Sequence, residues 1–236
     1  MEVLERAKEI GWYHTLELAP GVVTEGMFDL RNQMEGYGLP DRLDGKRVLD
    51  VGTWDGFWAF EMERRGAAEV VSLDLDWEKD LDWPPRRRPA TFPEEPRGQG
   101  FRIAHEALGS SVERVNLSIY NATPEEIGTF DLVFCGSVLI HLRDQLLALE
   151  RIANLCTGTF ISAEEYDRLA NLVPFPVSRY RADRDKAVVF WLPSIRTWRR
   201  MLWTAGFDKV EQHSRLKVVA RAGWSVPHVV HHASKR

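Results

Sequence analysis

Apolar and polar positions follow two rhythms along this chain: short apolar runs of strand type, and longer stretches in which apolar residues recur every three to four positions. Val48, Leu49 and Val51 form the first run; a helix is predicted over 57–65, stopping at Gly66. Residues 70–73 read as a second strand, 101–111 as a helix, 112–119 as containing a third strand, 131–135 as a fourth and 159–163 as a fifth. Leu142, Leu146, Leu149 and Ile152 stand at helical spacing and predict one buried face. Ser194 suits the N-cap of a helix with Trp198, Met201, Leu202 and Ala205 inward and Gly206 ending it. Segments 207–213 and 216–220 read as a last pair of strands, and Trp191, Trp198 and Trp203 as core. Strand and helix in alternation predict an α/β fold: a mostly parallel sheet covered by helices on both faces, with ligands at the carboxyl ends of the strands.

Three stretches break the rhythm. Residues 1–44 read as a charged amphipathic helix, with Val3, Ala7 and Ile10 on one face, then a segment expected to cap the cleft. Residues 83–100 hold five of the chain's twelve prolines and the run Arg86-Arg87-Arg88, which forbids a regular element and predicts a surface insertion at about 77–100. A second insertion, irregular or helical, is expected over 164–192. The expected organisation is thus 1–44 as a capping segment, 45–222 as one domain with both insertions, and 223–236 as a polar C-terminal tail holding His228, His231 and His232.

With 236 residues, 44% of them apolar, the chain suits a single core. A net charge of −4 provides no overall basic field for nucleic-acid phosphates, though it leaves room for a local patch. Two cysteines, Cys135 and Cys156, are too few for a disulfide framework and fit a reducing cytoplasm, the expected location. The N-terminus resembles neither a secretory signal nor a presequence, no apolar run approaches the ~20 residues of a membrane span, and His228, His231 and His232 have no cysteine or carboxylate at ligand spacing. Neither a membrane nor a metal is expected as a partner.

The chemistry concentrates in 47–76, which reads strand, glycine turn, helix, strand, acid. Gly52 and Gly56 let backbone N–H groups approach a ligand, and Asp74, 24 residues after Asp50, can hold two vicinal ribose hydroxyls. A dinucleotide site wants G-x-G-x-x-G, whereas here Thr53, Trp54 and Asp55 separate the glycines. A carboxylate at the helix entrance repels a pyrophosphate but tolerates a zwitterionic amino acid; Asp55 can also cap the helix.

VLDVGTWDG followed by VVSLDLD resembles motifs I and II of the class I S-adenosylmethionine-dependent methyltransferases, and FDLVFCGSVLIHL resembles their fourth strand and the loop after it. GSVLIHLRD, VFWLPSIRTWRRMLWTAGF and SRLKVVAR are similar to the bacterial tRNA wobble-uridine methyl- and carboxymethyltransferases, so the resemblance covers most of 45–221. It implies a Rossmann-like sheet of seven strands with an antiparallel last strand, and S-adenosyl-L-methionine as cofactor. Two departures stand out: Trp54 replaces the middle glycine, and Ile140 replaces the tyrosine that, with a lysine and an arginine, holds the extra carboxylate of the carboxylated cofactor in that subfamily. Only Arg215 remains as a match, so the ordinary cofactor is expected.

The resemblance assigns cofactor contacts to Asp50, Gly52, Thr53, Trp54, Asp55, Gly56, Asp74, Leu75, Tyr120, Asn121, Gly136 and Ser137, with Asn121 at the adenine edge or serving simply as a turn residue. Trp12, Tyr13 and His14 are candidates for an aromatic lid on the substrate, along with Arg215. His141, just past the fourth strand, can accept a proton from a hydroxyl under methylation, or simply orient the next helix. Three functions are compatible: methyl transfer to a small-molecule hydroxyl or amine, methyl or carboxymethyl transfer to a tRNA wobble uridine, and cofactor binding without catalysis. Oligomeric state is not legible.

Overall fold

The computed structural model describes residues 2–183 and 188–235. Its elements in chain order are α1 (Glu2–Arg6), β1 (Glu17–Ala19), β2 (Val22–Val23), β3 (Arg47–Val51), α2 (Phe57–Arg64), β4 (Glu69–Asp74), α3 (Gln99–Leu108), β5 (Glu113–Asn116), α4 (Pro124–Ile127), β6 (Phe130–Gly136), α5 (Gln145–Leu155), β7 (Cys156–Glu165), β8 (Ser178–Tyr180), β9 (Trp191–Pro193), α6 (Ile195–Thr204), β10 (Lys209–Val219) and β11 (Ser225–Ser234). Seven of the described strands make one sheet in the order β10-β11-β7-β6-β3-β4-β5. The five from β7 to β5 pair in parallel, while β11 runs antiparallel to both β7 and β10. This is the Rossmann-like arrangement with its antiparallel strand.

Side-chain alternation explains the two helical layers. Val48 of β3 and Leu132 and Phe134 of β6 face one core with Met62 of α2 and Ile103 of α3, while Leu49, Val51, Val133 and Cys135 face the other with Leu149 and Ile152 of α5 and Trp198 of α6. Strand order reverses at β3, where the chain leads one way to β4 and β5 and the other to β6 and β7. The carboxyl end of β3 is therefore the switch point at which such sheets bind ligands.

The structure corrects several expectations. Residues 225–234 are no tail: β11 lies inside the sheet, and Val229, Val230 and His231 are buried. The two last strands read over 207–213 and 216–220 are one strand, β10, with a register shift between Gln212 and Ser214 that explains the gap. Glu164 belongs to β7 rather than to the insertion, which contains the hairpin β8–β9. Leu142 precedes α5, whose buried face is Ala148, Leu149, Ile152 and Ala153. Trp203 is 61% exposed and Trp191 38%, so of the three tryptophans read as core only Trp198 is buried.

Candidate functional site

The turn after β3 is held tightly. Gly52 N–H donates to Leu73 O at 2.7 Å and Gly56 N–H to Thr53 O at 2.8 Å, and both glycines take positive φ, 76° and 89°. Their lack of Cβ also serves packing, since a Cβ on Gly52 would meet Val138 at 2.3 Å and one on Gly56 would meet Phe60 at 2.3 Å. Trp54, in the middle glycine's place, adopts φ 47°, so the backbone keeps a glycine-like conformation at a cost of about 1–2 kcal/mol. Its N–H donates to Asp74 Oδ2 at 2.8 Å, and Leu75 N–H donates to Asp74 Oδ1 at 2.8 Å. A carboxylate offers about four lone-pair sites, so roughly two remain for vicinal hydroxyls. Arg97 stands over the same ground, with Nη1 3.5 Å from Asp74 Oδ1 and the guanidinium 4.5 Å above the Trp54 ring.

At the carboxyl end of the sheet, Asp50 Oδ2, His14 Nδ1, Thr15 Oγ1 and Glu164 Oε2 are buried with no hydrogen-bond partner among the described residues, while the Thr53 hydroxyl lies close enough to Asp50 to lower its pKa. Burial first, and Asp74 second among the groups that raise it, push the Asp50 carboxyl up to about 7. Burial likewise pushes Glu164 up to about 8. Glu164 Oε1 accepts N–H bonds from Val138 at 3.2 Å and Leu139 at 3.1 Å, fixing the loop after β6. Buried unpartnered polar atoms are costly and mark a place where a polar ligand completes the bonding. An α-amino acid with a positive centre suits the carboxyl groups of Asp50 and Glu164, and a ribose suits Asp74, so the residues present fit S-adenosylmethionine.

Asp55 has another task than the one expected. Its Oδ2 accepts Tyr13 N–H at 2.6 Å and His14 N–H at 3.0 Å, and a Cβ on Gly100 would stand 2.6 Å from its Oδ1. It is 2% exposed, with burial pushing its carboxyl up to about 6, so it anchors the N-terminal segment rather than meeting a zwitterion. At its other side that segment is latched to the β10–β11 turn, where Arg221 N–H donates to Met27 O at 2.8 Å and Arg221 Nε to Gly26 O at 3.1 Å. The strap thus crosses the carboxyl ends of the strands. The proline-rich insertion closes the other half: Asp82 Oδ2 accepts Tyr120 O–H at 2.7 Å and Arg143 N–H at 2.7 Å, and Arg87 Nη1 donates to Ala182 O at 3.1 Å.

The Tyr13 ring stands 5.2 Å from that of Trp54, with burial first and then Asp55, Glu164 and Glu165 raising its hydroxyl to about 12. His14 is buried and held neutral, down to about 3, by desolvation. Trp12 is not presented to a substrate: it is buried, and its indole N–H donates to Ala7 O at 2.7 Å. Asn121 is an exposed turn residue whose N–H donates to Ser118 O at 2.9 Å. Arg215 is exposed on edge strand β10, which three strands separate from β3, so by strand spacing it stands roughly 19 Å from the glycine turn. His141 is half-buried with Nδ1 2.5 Å from Val188 O; burial lowers its pKa most, the Val188 hydrogen bond opposes this, and the Arg97 charge lowers it further. Gly136 ends β6, and Ser137 follows at φ 58°. Sequence reasoning missed Arg97, Glu164 and His228; Arg97 had a signal, as the only arginine just before the helix-opening Gly98.

A separate groove of about 480 Å³ runs along the outer face of α6, lined by Arg196, Arg199, Arg200, Trp203, Pro174 and Pro176. Among the described residues no helix is long and apolar enough to cross a membrane.

A family profile described as a methyltransferase domain matches residues 23–212. The chain is 31% identical over 175 residues to the tRNA U34 carboxymethyltransferase of Ectopseudomonas mendocina (strain ymp), a match covering 71% of this chain and 47% of that protein. It spans about half the length of the curated relatives it matches. Among solved structures, the N-terminal domain of EvdMO1 with SAH bound superposes with a TM-score of 0.63 at 19% identity, covering 100% of this chain and 96% of that one. The Burkholderia thailandensis 1,6-didemethyltoxoflavin-N1-methyltransferase, with bound 1,6-didemethyltoxoflavin and S-adenosylhomocysteine, gives 0.55 at 15% identity, over 82% of this chain and 72% of that one. At these identities the structural likeness shows a shared fold.

Proposed function

The chain belongs to the class I S-adenosylmethionine-dependent methyltransferases, and from that premise we propose that it moves a methyl group from S-adenosylmethionine to a hydroxyl or amine of a small-molecule acceptor. The observation that carries the acceptor class is the roof. A strap latched by Asp55 at one end and Arg221 at the other, with the proline-rich insertion clamped on Tyr120, encloses the carboxyl ends of the strands and favours an acceptor that enters whole. In this reading Asp74 holds the ribose, Asp50 and Thr53 the amino-acid end, and Tyr13 and Trp54 form an aromatic wall. When bound, the cofactor supplies an activated methyl group, and the chain's own work is alignment and removal of a proton where the acceptor is a hydroxyl. The ordinary cofactor is favoured over the carboxylated one because Ile140 is buried and apolar and Arg215 is remote.

A second reading, methyl or carboxymethyl transfer to a tRNA wobble uridine, is supported by the activity that names the curated relatives and by the arginine groove along α6. Methyl-labelled S-adenosylmethionine separates the two: label is expected in a metabolite extract and not in bulk tRNA. Asp74→Ala is expected to weaken cofactor binding by roughly 10- to 100-fold, the equivalent of about 1.5–3 kcal/mol for hydrogen bonds to a charged group. Unchanged calorimetric affinity would remove Asp74 from the site.

A further inference from the structure

On the far side of β3 from Asp74, past the end of β6, the cleft holds a hydrogen-bonded polar pair. Ser137 Oγ lies 2.7 Å from His228 Nε2. Ser137 stands at the carboxyl end of β6, its N–H donating to Ala163 O at 2.9 Å, and is half-buried, so its hydroxyl is within reach of a ligand. His228 is 2% exposed on β11, with Glu165 of β7 and Leu216 of β10 as its ladder partners. Its other nitrogen, Nδ1, faces Val226 O at 3.4 Å. A carbonyl only accepts, so Nδ1 carries the proton, Nε2 presents its lone pair, and the Ser137 hydroxyl donates to it. The oxygen of Ser137 is left to accept a hydrogen bond from the cleft side.

Three further facts place an acceptor there. Ser137 holds φ 58°, a left-handed conformation unfavourable for a residue with a Cβ and frequent at functional sites. Tyr13, from the strap, feels the charges of Glu164 and Glu165 at the end of β7, so aromatic wall, carboxyl groups and serine share one corner of the cleft. His141, another imidazole at this end of the sheet, has its Nδ1 taken up by Val188 O at 2.5 Å.

The geometry points to Ser137 as the catalytic contact for the acceptor's hydroxyl proton, with His228 as the positioning residue behind it that receives the proton Ser137 gives up. The inference rests on the methyltransferase reading and names its acceptor: a neutral hydroxyl. As the acceptor oxygen forms its bond to the methyl carbon, the carbon–sulfur bond breaks and sulfur keeps the electron pair. The acceptor's proton passes to Ser137 Oγ while the Ser137 proton passes to His228 Nε2. A methyl ether, a neutral thioether and an imidazolium result, so the cleft's positive charge is conserved. Burial holds His228 neutral beforehand, down to about 4, so its lone pair is free at neutral pH.

Ser137→Gly tests this without loss of fold, because glycine accepts positive φ and the variant removes only a hydroxymethyl group. Its melting temperature is expected to match or exceed the parent's, and label transfer into the metabolite extract at saturating cofactor to fall roughly 100-fold or more. NMR of the ligand-free protein is expected to show His228 as the Nδ1–H tautomer, with its Nε2 resonance moved by Ser137→Gly. A protonated Nε2, or turnover of Ser137→Gly within threefold of the parent, overturns the assignment. A parent that binds the cofactor yet labels nothing counts against methyl transfer itself, and the tautomer and resonance shift then decide the hydrogen-bonded pair on their own.

Discussion

The roofed cleft and the groove along α6 differ in almost every physical respect. The cleft gathers carboxyl groups, a serine, histidines and aromatic rings under a strap; Asp50, Glu164, His14 and His228 are buried, and several polar atoms are left unpartnered. The groove is an open hollow of about 480 Å³ on a solvated helix face, where arginines stand beside an exposed tryptophan. Chemistry favours the cleft. Desolvation explains why: the same carboxylate that sits quietly at a surface becomes a poised, partner-seeking group once water is removed. Unsatisfied buried atoms are therefore the better guide to a reacting site than the volume of a hollow.

The sharpest break in this contrast is to open the roof. Asp55→Ala leaves the N–H groups of Tyr13 and His14 without their acceptor. At about 1–3 kcal/mol for each buried unsatisfied group, less the relief of an uncomfortable carboxyl, a loss of roughly 3 kcal/mol in unfolding free energy is expected in urea titrations. Asp55→Asn, which keeps a carbonyl acceptor, is expected to lose less than half of that. Equal losses in the two variants would mean that the anionic charge, and not the acceptor, anchors the strap.

Much of the cleft was legible because its signals are local. The strand, the glycine turn, α2 and Asp74 follow one another within thirty residues, and each has its own periodic or conformational cue. Trp54 was readable as a departure, but not its left-handed backbone, which is set by Asp74 and Leu73 across the turn. The acceptor corner was hidden. SVPHVVHHAS carries a proline and three histidines and reads as polar, yet pairing with β7 begins at His228, one residue after Pro227, so the proline costs no bond in that ladder. Burial of His228 and His231 is decided by two neighbouring strands distant in sequence. Arg97 reaches Asp74 only because the insertion folds back, which no spacing rule encodes.

Acidity sharpens the comparison next. In the ligand-free protein burial raises Asp50 to about 7 and Glu164 to about 8, so the folded state keeps protons that the unfolded chain has released, and stability falls as pH rises toward those values. His14, His228 and His231, lowered to about 3, 4 and 4, act in the opposite sense, but only below the ordinary histidine value of 6.5. Between pH 4.5 and 6 the two sets, Asp55 included, largely cancel; from 6.5 to 8 only the carboxyl groups remain. A fall of about 2–3 kcal/mol over that upper window is expected in denaturant melts, because each proton retained by the folded state costs about 1.36 kcal/mol for every pH step of one. S-adenosylmethionine, whose positive centre favours the ionised carboxyl groups, is expected to reduce the fall and to bind more tightly at pH 8 than at 6.5. A stability curve that rises from 6.5 to 8 would mean these carboxyl groups are already ionised and partnered.

The smallest effects belong to the groove, and they decide between the two acceptors. Arg199 and Arg200 are exposed and lie on α6, whose buried face, Trp198 and Leu202, does not include them, so charge reversal there leaves the core untouched. If the acceptor is a small molecule entering under the strap, Arg199→Glu with Arg200→Glu is expected to change cofactor affinity and label transfer by less than twofold. An RNA acceptor makes a different demand, because each phosphate neutralised by an arginine releases a counterion and adds about one to the slope of log affinity against log salt. Under that reading the double variant loses transfer to tRNA and flattens the salt dependence by about two, while binding of S-adenosylmethionine holds. Measuring parent and double variant at low and high salt thus assigns the arginines either to solvation of a helix face or to a macromolecular substrate, and with them the role of the groove.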